Sequence, residues 1–157
     1  MSATLAHDAT YGVDYLRRRL VDEFPLARHM GVDVEAAGDT TVVLRAPFAP
    51  NINFKSTAFA GSLFSVAVLT GWAWVTRYLA SREFLADAVL QESSIRYLVP
   101  VRGELRAALH PPRAEAVEKF RRMLERAGRG RIRLEVEIRD GTTLATHFEG
   151  LFVAAIP

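Results

Sequence analysis

The sequence predicts an α+β domain, an antiparallel sheet of about six strands closed around one long central helix. Three observations carry that reading. No side chain in the stretch 56–76 is charged, so a helix over roughly 60–79 is apolar around most of its circumference and must be covered on most sides. Ile132, Leu134, Val136 and Ile138 alternate with Arg131, Arg133, Glu135, Glu137 and Arg139, the period-two pattern of a strand with one wet face. Half of the 157 residues are hydrophobic, enough core for a single domain over 1–157, and no repeat or linker divides it.

Each element has a local signature. Asp14 can cap a first helix in which Leu16, Leu20 and Phe24 recur every four residues, with Arg17 to Arg19 on the wet side and Pro25 at its end. Residues 1–30 therefore read as an N-terminal helical extension. Two short strands near 31–36 and 40–46 are joined by a Gly38-Asp39 turn. A loop rich in turn formers, 47–57, leads into the central helix. Four more strands fall near 89–99, 104–109, 131–139 and 144–154, the last two joined through Asp140-Gly141. Between the second and third of these lies a short amphipathic helix, 114–127, closed by Gly128.

Composition removes several classes of function. Twenty Lys and Arg against eighteen Asp and Glu leave a net charge of +2, too near balance to point to nucleic acid. The absence of cysteine excludes a disulfide framework, thiolate metal sites and cysteine nucleophiles. His7, His29, His110 and His147 are scattered without metal-ligand spacing, so no metal is expected. Ser62, in Ala60-Gly61-Ser62-Leu63-Phe64, does not form the G-x-S-x-G elbow of a serine hydrolase. Residues 1–10 lack a basic cluster followed by an apolar run, and a cytoplasmic location is the expectation. The stretch 56–76 is long enough for a bilayer span, but its glycines, serines and threonine and the amphipathic strands around it make a buried helix the better reading; no membrane partner is expected.

The segment Asn51-Ile52-Asn53-Phe54-Lys55-Ser56-Thr57-Ala58-Phe59-Ala60-Gly61-Ser62-Leu63 is followed downstream by Ser94-Ile95-Arg96-Tyr97-Leu98-Val99-Pro100, Gly130-Arg131, Val136-Glu137-Ile138 and Phe148-Glu149-Gly150. Together they resemble a hotdog-fold thioesterase family whose domain also occurs behind an acetyltransferase domain in bacteria. That family shows an N-I-N-x-K-G-T-x-F-A/G-G-S-L helix start, an I-R-Y-x-x-P strand and a terminal F-E-G strand. The resemblance covers about residues 31–157. It implies a hotdog homodimer, or a tetramer built from it, with active sites where one subunit's helix N-terminus meets its partner's sheet. It also implies an acyl thioester substrate on coenzyme A or acyl carrier protein, hydrolysed without a cofactor. Departures are informative. In the broader phenylacetyl-type hotdog thioesterases the helix begins N-x-x-G-x-x-H-G-G and carries a catalytic carboxylate. Aligning the asparagine with Asn53 puts Ser56 at the glycine, Phe59 at the histidine and Val68 near the carboxylate, and Phe54 stands where family members tend to carry Asp.

Thioester hydrolysis needs donors for a developing oxyanion and a water relieved of its proton. The free N–H groups of Ala60 and Gly61 at the helix start suit the first task, although Gly61 equally suits close helix–sheet packing. Asn53 can orient the carbonyl or the water, or can simply cap its own turn; Asn51 has the same two readings. Glu92 is the carboxylate best placed for the general base. Strand parity groups it with Ser94 and Arg96, opposite Ile95, Tyr97 and Val99. That arrangement gives a solvent-facing ion pair, or a base facing a cleft where a dimer buries the surface or a bulge shifts the parity. Gln91, Ser93 and Ser94 are polar alternatives nearby. Substrate contacts are expected from Asn51, Ala60, Ser62, Ser94 and Arg96. Arg129 and Arg131, within the group Arg121, Arg122, Arg126, Arg129, Arg131 and Arg133, suit the phosphates of coenzyme A or phosphopantetheine. Trp72 and Trp74 read as core, or as the wall of an acyl tunnel. The strand 89–99 is expected to pair with itself across a two-fold axis. Two other functions stay open: a non-catalytic acyl-thioester binding protein, and a hotdog dehydratase or hydratase, which needs a histidine–carboxylate pair where Phe59 stands.

Overall fold

A helix without a wet face has to be enclosed, and the chain encloses it with its sheet. The computed structural model describes residues 10–157; residues 1–9, with His7 and most of the stretch read for a targeting signal, lie outside them. In chain order the elements are α1 (Val13–Glu23), α2 (Pro25–Met30), β1 (Asp33–Ala37), β2 (Val42–Ala46), a 3-10 turn (Ala49–Asn51), α3 (Ala60–Ser81), β3 (Asp87–Tyr97), β4 (Leu105–Leu109), α4 (Ala114–Ala127), β5 (Arg129–Asp140) and β6 (Thr143–Ala155). The six strands form one sheet in the order β1-β2-β4-β5-β6-β3, with every pair antiparallel.

The central helix α3 packs against every strand except β1. It is long and apolar enough to cross a membrane, and most of it is buried inside the protein. Leu44, Leu105, Ile132, Leu134, Val136, Ile138, Phe148 and Phe152 face it from the sheet as one core cluster. Contact is tight at Gly71, where a Cβ would lie 2.4 Å from the Phe152 ring. At the other side, Trp74 Nε1 donates to the Asp39 carbonyl over 2.8 Å, and the buried Arg77 guanidinium donates to the Asp39 carboxylate over 2.7 Å. These bonds hold the β1–β2 turn across the second half of the helix.

The N-terminal segment is part of this core rather than an appendage, since Leu16, Leu20, Ala27 and Met30 join the same cluster. Two local expectations change. Asp14 makes no capping bond; it lies in the first turn of α1, beside the positive end of the helix, and pairs with Arg17 at 2.8 Å. Pro25 does not release the chain but starts α2 at its first turn, where its missing N–H costs nothing, and Gly31 closes that helix in the left-handed region. Arg19 also leaves the wet side of α1. Its guanidinium lies 5.7 Å from the ring centroids of both Tyr15 and Trp72 and is paired with Glu23. Helix α4 spans the expected residues, buries Phe120 and Leu124, and ends on a left-handed Gly128.

Strand β3 is one edge of the sheet, hydrogen-bonded among the described residues to β6 alone, and it carries an irregularity that decides which side chains reach α3. The register slips between Leu90, opposite Phe152, and Glu92, opposite Leu151, leaving Gln91 as an extra residue. Before this bulge Ala88 and Leu90 pack on the core; after it Ile95 does, and Tyr97 reaches α3. Without the extra residue, strict alternation from Leu90 would have turned Glu92, Ser94 and Arg96 inward.

Candidate active site at the start of the central helix

The loop ahead of α3 is built by two asparagines. Asn51 is 1% exposed; its Nδ2 donates to the carbonyls of Met30 and Pro47, both over 2.8 Å, and its own carbonyl accepts the Phe59 N–H at 2.7 Å. It ties the end of α2 to the start of α3. Asn53 spends its amide on its own turn. Oδ1 accepts the N–H of Lys55 at 2.9 Å and of Thr57 at 3.2 Å, while Nδ2 donates to Thr57 Oγ1 at 2.9 Å and to the Ala58 carbonyl at 3.4 Å. Both asparagine amides thus bond within the loop and to the elements beside it. Ser56, at the crest of this turn, has φ 56, the left-handed conformation that favours glycine.

The helix begins without a side-chain cap. The N–H groups of Ser62 and Leu63 both donate to the Phe59 carbonyl, at 3.0 and 3.1 Å, whereas those of Ala60 and Gly61 meet no acceptor among the described residues. Two open donors at the positive end of a 22-residue helix form a site for a partial negative charge. The close neighbour of Gly61 is not the sheet: a Cβ there would lie 2.3 Å from the ring of Phe59, so the glycine lets that ring fold over the first turn. Phe59 is 54% exposed, and Phe54, on the loop crest, is 92% exposed. Ser62 is buried.

Tyr97 completes the site, and the reading of the residues had not selected it. From the end of β3 its hydroxyl donates to the Ala60 carbonyl over 3.1 Å, and partial burial raises its pKa above the usual tyrosine value. Asn53, Thr57, Ala60, Leu63, Tyr97 and Val101 are among the residues lining a shallow cavity of about 250 Å³ here. The signal for Tyr97 was its place in the Ile95-Arg96-Tyr97 segment, on the parity opposite Arg96.

Glu92, Ser94 and Arg96 are not brought to this site within the protomer. The bulge sends them to the outer face of the sheet, the reverse of the shift that would have aimed Glu92 at the cleft. Glu92, with its side chain 67% exposed, lies 3.7 Å from Arg133. Arg96 approaches His147 Nδ1 at 3.5 Å, and His147 Nε2 lies 3.1 Å from Glu135. Ser94 is paired across the strands with Glu149. Arg129 and Arg131 are exposed at the start of β5 without an ion-pair partner among the described residues, whereas Arg121 and Arg122 pair with acidic residues of α4 itself. No group of three His, Asp or Glu side chains converges among the described residues.

An antiparallel sheet wrapped around one helix, with open donors where that helix begins, defines a hotdog protein. The model of the family described as "Putative thioesterase (yiiD_Cterm)" matches residues 13–156, and the chain belongs to that family. Among solved structures, a protein of unknown function from Chlorobaculum tepidum is 31% identical over 99% of both chains, with a TM-score of 0.89. A "putative thioesterase" from Shewanella oneidensis is 29% identical over 92% of this chain and 97% of its own, with a TM-score of 0.79. The E. coli PaaI protein, from the phenylacetic acid degradation operon, shares the fold at 16% identity and a TM-score of 0.64, over 92% and 94% of the two chains.

Proposed function

We propose that the protein is a cytoplasmic homodimer that hydrolyses an acyl thioester carried on coenzyme A or an acyl carrier protein. The observation that carries this reading is the pair of open N–H groups at Ala60 and Gly61, in a family of thioesterase type. A thioester carbonyl oxygen placed there accepts both N–H groups, and its charge grows as water adds to the carbonyl carbon. The tetrahedral species then collapses with cleavage of the C–S bond, giving the acid and the free thiol. Asn51 and Asn53 hold the loop, and Tyr97 fixes the first helical carbonyl. Arg129 and Arg131 are proposed to meet the phosphates of the carrier arm.

The proposed dimer is supported by the edge of β3, where Val89 and Tyr97, with Leu98 and Val99 just beyond the strand, are exposed. Such an edge is a template for its own copy, antiparallel about a two-fold axis. A second reading, acyl-thioester binding without turnover, is favoured by one observation. Neither α3 from Ala60 to Thr76 nor the inward residues Ser93, Ile95 and Tyr97 of β3 include a carboxylate or imidazole. Thiol release from acyl-coenzyme A and acyl-carrier-protein substrates, measured beside light scattering, tests both readings. Release that is lost in Gly61→Ala supports hydrolysis; tight binding with no release from any carrier replaces it with the binding reading.

A further inference from the structure

A second, roomier cavity lies away from the helix start. It measures about 1,030 Å³ and lies beneath α1, between the second half of α3 and the start of β3. Tyr15, Arg19 and Glu23, spaced by four, present one stripe of α1 to it, with Tyr11 just ahead of the helix, while Leu16 and Leu20 of the same helix face the core. Trp72, Phe24 and Phe152 add apolar walls. Arg19, the one cation of this lining among the described residues, lies across two aromatic rings and is paired with Glu23, and Glu83 and Asp87 add negative charge. The cavity therefore suits an uncharged apolar occupant and disfavours an anionic one. Along α3 the lining runs from Val68 to Ala80, roughly 18 Å at 1.5 Å per residue. An extended chain of about fifteen bonds fits that length.

Its place in the sheet says how such a chain arrives. Tyr97, at the end of β3, touches its own helix start, whereas Ala86 to Leu90, at the beginning of β3, line the large cavity. Antiparallel pairing of two β3 edges sets the beginning of one strand beside the end of the other. Each large cavity then lies next to the partner's helix start. We infer that this cavity receives the tail of a long, straight-chain, uncharged acyl group whose thioester is held at Ala60 and Gly61 of the partner protomer. The inference rests on the thioester reading above and names its substrate class. The 250 Å³ hollow at the helix start is below the usual range for a whole small-molecule ligand, so a long acyl tail requires this second space.

The test titrates the dimeric full chain with alkyl-coenzyme A thioethers of four to sixteen carbons, which cannot be hydrolysed. The fluorescence of Trp72 reports occupancy of the cavity, with Trp72→Phe as the silent control, and thiol release from the matching thioesters is followed in parallel. Affinity should rise about two- to fourfold per added methylene until the cavity is full. Ala80→Trp, and independently Ala86→Trp, should cut the ratio of hexadecyl to butyl affinity at least about tenfold by filling the space. Flat affinity across chain lengths, or equal loss for short and long chains in both folded variants, overturns the assignment and leaves the cavity to side chains of the second copy. Graded binding without thiol release keeps the cavity and removes hydrolysis; thiol release with flat chain-length dependence does the reverse.

Discussion

Three residues carry most of what the site has to say about itself. At Gly61 the absence of a side chain lets the Phe59 ring lie against the first turn of α3. Gly61→Ala displaces that ring, which is exposed and free to move, so stability should change little while turnover falls about ten- to a hundredfold through misplacement of the carbonyl. Glu92 is the opposite case: Glu92→Gln alters only an exposed ion pair on the outer face, and thiol release should stay within about twofold. A loss beyond tenfold would return the base to Glu92. Ser56 has φ 56 where the family pattern has glycine, and Ser56→Gly should raise unfolding stability by roughly 0.5–1 kcal/mol in denaturant titration. The asparagine loop and the open helix start were legible from the run Asn51 to Leu63 because their bonds are local. The outward face of Glu92 with Ser94 and Arg96 was legible too, as the solvent-facing ion pair that parity allows; the bulge at Gln91 and the bond from Tyr97 to Ala60 were not, because the first leaves no mark in the sequence and the second joins residues far apart in the chain.

At the scale of elements, periodicity found α4 and the long β5–β6 hairpin because one face of each is wet, and it found α3 because nothing in it is. It missed α2, whose six residues are too few to show a period and whose opening proline reads equally as a stop. It also gave α1 one apolar stripe where the structure has two, since the aliphatic part of Arg19 and the ring of Tyr15 cover surface that charge and hydroxyl groups disguise. The contact of α3 with β6 is tight enough to test. Gly71→Ala drives a methyl into Phe152, which is fully buried and has no room to yield, and should cost about 1–3 kcal/mol in thermal or denaturant unfolding. Adding Phe152→Leu should recover part of that loss.

For the molecule as a whole, carboxylates stitch successive elements together across the first part of the chain. Arg17 of α1 donates to Asp33 of β1 over 2.6 Å, Arg45 of β2 donates to the same carboxylate over 3.2 Å, and Arg106 of β4 reaches Glu35 of β1 at 2.7 Å. The hydrogen bond from Arg17 holds the Asp33 carboxyl below its ordinary 3.8, and that from Arg106 holds Glu35 below 4.5. A carboxyl depressed in the folded state stabilises above its unfolded value and loses that contribution as pH falls through the folded one. The melting temperature should therefore hold near pH 6 and drop as the pH falls below about 4.5, and Asp33→Asn with Glu35→Gln should flatten that decline. Strand order lay outside what periodicity can reveal: each strand was visible alone, but nothing in β3 names β6 as its neighbour.

That neighbour sets an order of events during synthesis. The chain makes α3 and β3 well before it makes β6, yet among the described residues β3 is hydrogen-bonded to no strand but β6, which also supplies Phe148 and Phe152 to the core around α3. Until the thirteen residues of β6 leave the ribosome, a helix with no wet face waits beside an unpaired strand. Such a nascent chain exposes apolar surface for longer than one whose neighbours are close in sequence, and loss of the C-terminal strand removes the wall of the core rather than trimming its rim.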